Sequence, residues 1–215
     1  MDQLGITHFS LFCIAVLLLN ATPGPDTAYI VGRSIAQGRA AGLLSALGIS
    51  LGCLIHAIAS AFGLTAIIAT SALAFTIVKV AGGGYLVYLG VRMLLSKPDK
   101  TSPVDLEPMV SGYRPPKAIF WQAVVTNLLN PKVVLFFLSF FPQFVRADTV
   151  HKTSAFLLLG AVFVVMSTFW NSGTALLAGT LARRAGRNPQ FRLWLERFVG
   201  SAFIALGIKL VLTKH

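Results

Sequence analysis

LLLNATPGPDTAYI, residues 17–30, is an apolar run cut open by Pro23-Gly24-Pro25 and followed at once by Asp26. Proline has no N–H and cannot continue a helix, so this break frees backbone carbonyls. A bilayer tolerates such backbone only where it is packed in protein or lines a wet cavity. Asp26 stands where a new half-helix starts, a position at which a carboxylate caps free N–H groups. TNLLNPKVVLFF, residues 126–137, has the same character: Asn127, then Asn130-Pro131, then Lys132 inside an apolar run. A charge at mid-span costs about 2.5–3.5 kcal/mol on the insertion scale. Lys132 therefore needs a partner or water. Asp26, the only acidic residue between Asp2 and Asp99, is its natural counter-ion if the two breaks meet.

The composition says the same of the whole chain. Of 215 residues, 55% are hydrophobic and 12% charged, where a soluble domain carries about 25% charged residues. Mean hydropathy is +0.76. A soluble enzyme, a disordered chain and a secreted disulfide scaffold are excluded. The apolar runs are continuous rather than alternating, which excludes a membrane β-barrel. Six runs, at 6–30, 40–62, 71–95, 118–141, 153–181 and 198–212, predict an all-α polytopic membrane protein with six transmembrane helices, the first and fourth interrupted. No Lys or Arg precedes Arg33, so the first run reads as a retained span rather than a cleaved signal. Residues 97–117 hold five of the ten prolines and three of the seven acidic residues. That composition predicts a solvated linker, 96–117, between a first unit, 1–95, and a second, 118–215.

The two units resemble each other. LGVRMLL (89–95) and LGIKLVL (206–212) end the third and sixth runs, and Gly83 and Gly90 match Gly200 and Gly207 at one offset of 117. Asn20 precedes Pro23 as Asn127 precedes Pro131. Three helices per unit forces the second to insert upside down, so the expectation is two inverted three-helix repeats, a signature of secondary transporters. Of 18 Lys and Arg residues, twelve fall in loops on one side and four on the other, with Lys79 and Lys132 inside runs. The positive-inside rule places the twelve in the cytoplasm and both termini outside. The net charge of +11 is accounted for by orientation and does not call for nucleic acid.

Other candidates lie on the remaining runs. Ala41, Ser45, Gly48, Gly52, His56, Ala59 and Gly63 form one stripe of a helix, so His56 is expected to face inward among small residues. It titrates near neutrality and is a candidate proton carrier or a packing histidine. Gly160, Val164, Ser167, Asn171, Thr174 and Ala178 form a second stripe, with Asn171 either lining a path or joining helices. Lys79 is a second cation that either lines the path or snorkels. No metal-ligand spacing, phosphate loop or nucleophile–base set emerges, so no cofactor is expected.

Three segments carry a resemblance. NATPGPDTAYIVGRSIAQGRAAGLLSALGISLG (20–52), KVAGGGYLVYLGVRMLL (79–95) and NLLNPKVVLFFLSFFPQF (127–144) closely resemble the lysine exporter family, which includes bacterial homoserine/threonine and leucine exporters. The resemblance spans nearly the whole chain. It implies six membrane helices in a bacterial inner membrane and amino-acid efflux energised by the proton gradient. The family often has Asn after the second proline of its first motif, where this chain has Asp26.

The combined reading is a proton-coupled exporter, not an enzyme, for a neutral or hydrophilic amino acid such as homoserine, threonine or leucine. Asn20, Pro23, Gly24, Pro25, Asp26, Asn127, Asn130, Pro131, Lys132 and Lys79 are its expected substrate site. Asp26 or His56 carries the coupling proton, and Asn171 lines the path. Its partners are an amino acid, protons and lipid, with room for a homodimer. Two rivals remain: a thiol–disulfide electron carrier using Cys13 and Cys53, and a non-transporting assembly factor. The topology is open to a direct test. A cysteine placed at His215 is expected to react with an impermeant thiol reagent in intact cells and one at Ser111 is not; the reverse pattern refutes the orientation.

Overall fold

The computed structural model describes residues 4–22, 24–70, 113–146 and 148–185, with scattered helical positions between 77 and 95 and between 197 and 208. Pro23, Lys79, Gly83, Gly90, Gly200, Gly207 and the linker 96–112 lie outside the described residues, as does most of the runs 71–95 and 198–212. The described helices are α1 (Phe9–Ala21), α2 (Pro25–Gln37), α3 (Arg39–Thr70), α4 (Pro116–Leu128), α5 (Pro131–Ser139) and α6 (Lys152–Ala185), with a 3-10 turn at Phe141–Phe144 after α5.

Both expected interruptions are present, and each turns the chain. α1 with α2, and α4 with α5 and its turn, are long and apolar enough to cross a bilayer only as pairs, each bent by 52° at its break. Arg39–Ala66 and Lys152–Ala178 qualify alone. The described residues thus supply two to four spans. α3 runs on past the expected end at residue 62, through GLTAIIAT (63–70). That stretch has no proline, and backbone in lipid has no water to turn to. α2 likewise extends past residue 30 to Gln37, which draws Arg33 out of the expected loop and into a helix.

α3 is the wall on which the rest is built, packing most extensively on α6 and α4 and then on α2. Its small residues allow near-backbone contact. A Cβ at Gly48 would strike the Phe120 carbonyl, and one at Gly52 would meet Asn127 Oδ1 at 2.5 Å. From the other side, a Cβ at Gly160 of α6 would come within 2.7 Å of Ala57 Cβ. The expected inward stripe holds from Ser45 to Gly52, with His56 half-buried, but Ala59 and Gly63 are exposed. Beyond His56 the buried face rotates to Ala57, Ser60, Ala61 and Leu64. A stripe of spacing 3.5–4 drifts around a straight 3.6-residue helix, so it cannot face one neighbour over six turns.

The two ends of the bundle are tied differently. At one, Ile6 bridges Val145, Thr7 N–H donates to the Phe144 carbonyl at 2.9 Å, and Arg146 N–H donates to the Gly5 carbonyl at 2.9 Å. An exposed ion pair, Arg146–Asp148 at 2.5 Å, lies in the same loop, and the hydrogen bond from Arg146 holds the Asp148 carboxyl below the usual carboxylate range. At the other end, Gln37 Nε2 donates to the Arg114 carbonyl at 3.0 Å and Arg114 N–H donates to Gln37 Oε1 at 3.2 Å. The N-terminal segment thus shares an end with the loop after α5, and the loop after α2 shares the opposite end with the chain entering α4. This is the grouping on which the charge count relies.

Two glycines of α3 separate packing from propensity. Gly52→Val is expected to destabilise by about 1–3 kcal/mol, because the new side chain overlaps Asn127. Gly63→Ala meets nothing within 4 Å and is expected to be neutral or to stabilise by up to about 1 kcal/mol. Thermal unfolding of the purified variants in detergent distinguishes the two.

Candidate functional site

The two breaks meet. Lys132 Nζ donates to the Thr22 carbonyl at 2.8 Å, across the break between α1 and α2. That carbonyl belongs to the last turn of α1, where helical donors have run out. Across the same gap, Asn127 Nδ2 at the end of α4 donates to Asp26 Oδ2 in the first turn of α2 at 2.7 Å. Gly24 completes the fit: a Cβ there would lie 3.7 Å from Lys132 Nζ, in ordinary contact. Each broken helix thus supplies a polar group to the other's break.

The expected direct ion pair is not formed. Among the described residues the one ion pair is Arg146–Asp148. Asp26 and Lys132 instead bond a side-chain amide and a backbone carbonyl, both uncharged. Nor is Asp26 the N-cap: Gly24 holds that position in extended backbone, without a side-chain cap bond. Asn130 is the cap of α5, its side chain accepting from Lys132 N–H at 3.1 Å, and Pro131 takes the first helical position. The second Asp26 oxygen, Oδ1, is buried without a hydrogen-bond partner. An unpaired buried acceptor costs about 1–3 kcal/mol.

Asp26 borders a cavity of about 30 Å³. Its polar wall is Asn20, Asp26, Thr27, Asn130, Lys132, Ser167 and Asn171; its apolar wall is Leu19, Ile49, Val133 and Phe163, with Gly24 and Cys53 between. It has room for a water or two and falls far below the roughly 300–1,000 Å³ of a small-molecule site. Seven phenylalanines close it toward Val145: Phe12, Phe136, Phe137, Phe140, Phe141, Phe144 and Phe163 are all buried. Their rings tilt against one another or meet edge-on, as in Phe137–Phe141 at 4.5 Å and Phe137–Phe163 at 4.7 Å. Toward Gln37 a polar layer stands instead. Arg33 is fully buried, lies 5.6 Å from the Tyr29 ring centre, and donates to Gln37 Oε1 at 2.8 Å and Gln122 Oε1 at 3.5 Å. Tyr29 O–H donates to the Ile119 carbonyl at 3.0 Å.

Of the expected site residues, Asn20, Gly24, Asp26, Asn130, Lys132 and Asn171 line the cavity; Pro25 and Pro131 open the two helices beside it. Asn127 is fully buried and acts from behind through Asp26. His56 is not on the cavity wall. Its Nε2 lies 3.4 Å from the Asn127 carbonyl oxygen, and its ring stacks on Phe137. Pro23 and Lys79 lie outside the described residues. Both cysteines are free, and only Cys53 reaches the cavity. The electron-carrier alternative therefore has one thiol there and no second. Thr27, Ser167 and the apolar wall were not among the expected residues. Ser167 stands one helical turn before Asn171 on a stripe legible in the sequence, but nothing there separates a lining serine from a packing one.

Comparison with known proteins gives an independent reading. Residues 17–214 match the family described as LysE type translocator. An uncharacterized membrane protein of Pseudomonas aeruginosa is 31% identical over 98% of this chain and 97% of its own length. A leucine efflux protein of Salmonella choleraesuis is 26% identical over 97% of this chain and 96% of its own. One of an Enterobacter strain is 28% identical over 97% of each. No solved structure matches the chain.

The Asn127–Asp26 bond is open to a double-mutant cycle. Asn127→Ala is expected to lower stability by about 1–3 kcal/mol, because the buried Asp26 carboxylate then loses the hydrogen bond to its Oδ2. In an Asp26→Ala background the same change is expected to cost less, the difference being the coupling. Melting of the four purified proteins measures it; equal costs in both backgrounds contradict the bond.

Proposed function

The chain belongs to the LysE type translocator family, and from that premise we propose that it exports neutral amino acids with aliphatic side chains through the cavity between its broken helices. The observation that carries the proposal is the convergence on one small space of a buried carboxylate and an amine that has donors to spare. An amino acid is a zwitterion and needs one of each. Asp26 Oδ1 receives the ammonium group. Lys132 Nζ and the positive ends of α2 and α5 receive the carboxylate. Leu19, Ile49, Val133 and Phe163 receive the side chain. Among the described residues Asp26 is the only acid on the cavity wall, so a dibasic substrate would bury a second ammonium without a partner there. The leucine efflux proteins among the relatives support the same class.

The protein works in a bacterial inner membrane, with the loops after α2 and before α4 in the cytoplasm and the termini outside. The two units are inverted repeats that rock about the site. The cavity is too small for substrate, so the walls part before binding: the Tyr29–Arg33–Gln122 layer opens to admit substrate from the cytoplasm, and the phenylalanine cluster opens to release it. A proton returns in exchange. Asp26, the side-chain amide and backbone carbonyl of Asn127, and His56 line up as polar groups from the cavity into the α3–α4 contact. A proton on Asp26 removes the charge that holds the substrate ammonium, so protonation from outside and substrate release are one event.

The experiment is efflux of radiolabelled amino acids from loaded cells, over a panel of substrates. Leucine-like substrates are expected to leave faster than lysine, and an uncoupler is expected to abolish concentrative efflux. Lys132→Ala is expected to reduce transport at least tenfold, because it removes a carboxylate contact and leaves Asp26 without a nearby cation; Asp26→Asn is expected to be milder. Full-rate export by both variants, at normal membrane levels, removes the zwitterion site. Efflux that persists unchanged without a proton gradient removes the coupling.

A further inference from the structure

Helix α6 carries two polar side chains whose hydrogen-bonding capacity the protein leaves unused. Most buried or half-buried hydroxyls on these helices return their O–H to the carbonyl four residues back: Ser45 to Ala41, Ser50 to Ala46 and Thr168 to Val164, at 2.7–2.9 Å. Ser167 does not. It is 1% exposed, it lines the cavity, and its Oγ accepts from Asn20 Nδ2 at 3.0 Å. Asn20 spends its other amide hydrogen on the Val16 carbonyl at 2.8 Å, so its orientation is fixed from two sides. Accepting from Asn20 leaves the Ser167 O–H as a donor with no acceptor among the described residues. Asn171, one turn on, is 5% exposed, lines the same cavity and has no side-chain hydrogen bond among the described residues. Residues four apart on a helix are neighbours on one face, about 5–6 Å between Cβ atoms. Two donors at that spacing converge on the two oxygens of one carboxylate.

We infer that Ser167 and Asn171 are substrate-binding residues that grip the α-carboxylate, with Asn20 as the positioning residue that turns the Ser167 hydroxyl toward it. The inference rests on the amino-acid reading of the cavity and deepens it. Lys132 supplies charge from one side, while α6 supplies direction from the other. The result is selection for a free carboxylate over an amide or ester of the same amino acid. Such a group keeps one good carbonyl acceptor and would leave one of the two donors of α6 unpaired.

The test is a cycle of variant against ligand on the purified full-length protein, with affinity measured for L-leucine and for L-leucinamide. Wild type is expected to prefer leucine. Ser167→Ala and Asn171→Ala are each expected to weaken leucine binding by about tenfold, the value of a hydrogen bond to a charged group, and to weaken leucinamide binding distinctly less. Asn171→Asp is expected to repel leucine and spare leucinamide. Ser167→Thr keeps the hydroxyl and is expected to keep the preference, which guards against a variant that merely folds poorly. Equal losses for both ligands, or no loss, overturn the assignment and leave transport standing. If wild type binds neither ligand while remaining folded, the amino-acid reading falls and this assignment with it.

Discussion

Everything in this molecule follows from placing unsatisfied backbone where water is scarce. Two prolines around Gly24, and a third at position 131, end helices within runs otherwise apolar enough for a bilayer. The carbonyls and N–H groups so released need partners, and among the described residues the two breaks supply some of them to each other. Lys132 takes the Thr22 carbonyl, Asn127 takes one oxygen of Asp26, and Asn130 caps its own helix. The pairing is reciprocal, so neither broken helix is satisfied without the other. Each bends by 52°, and the bends bring together ends that straight helices would carry away to opposite membrane faces.

The rest of the fold holds that meeting in place. α3 offers glycines at 48 and 52, where α4 lies almost against its backbone, and Asn127 fits into the notch left by Gly52. α6 closes the opposite side with Ser167 and Asn171. The two approaches to the cavity differ in chemistry, and this matters for a gate. A packed aromatic cluster separates by losing dispersion contacts and admitting water. A layer built on Arg33, Tyr29 and Gln122 separates by exchanging hydrogen bonds for hydration. Transport that passes one barrier at a time needs two gates that do not open under the same stimulus.

Much of this was legible in the residues. The break at Pro23-Gly24-Pro25 and the one at Asn130-Pro131 fall where the sequence puts them, because proline's effect on a helix is local and strong. That the breaks would meet is an expectation drawn from Lys132 inside an apolar run and from Asp26, the only acidic residue between Asp2 and Asp99. Sequence could not say that the two charges would stand apart, each bonded to a neutral group, because that depends on distances of an ångström or two between segments a hundred residues apart. It also read Arg33 as a loop residue. A guanidinium 0% exposed is legible only once Gln37, Gln122 and Tyr29 are seen around it. The stripe on α3 was right for two turns and then drifted, since spacing along a sequence does not fix which neighbour a long helix meets. The six-span count and the repeat rest on runs at 71–95 and 198–212 that lie mostly outside the described residues.

The account turns on substrate occupying the space between the breaks, and the protein carries its own reporter there. Cys53 lines the cavity and Cys13 does not. In a Cys13→Ser background, the rate at which a small membrane-permeant thiol reagent alkylates Cys53 reports access to that space. The account predicts that leucine slows the reaction in proportion to its occupancy of the transporter, and that an amino acid the protein does not export leaves it unchanged. Alkylation at the same rate with and without saturating leucine, in protein that transports it, would place the substrate elsewhere.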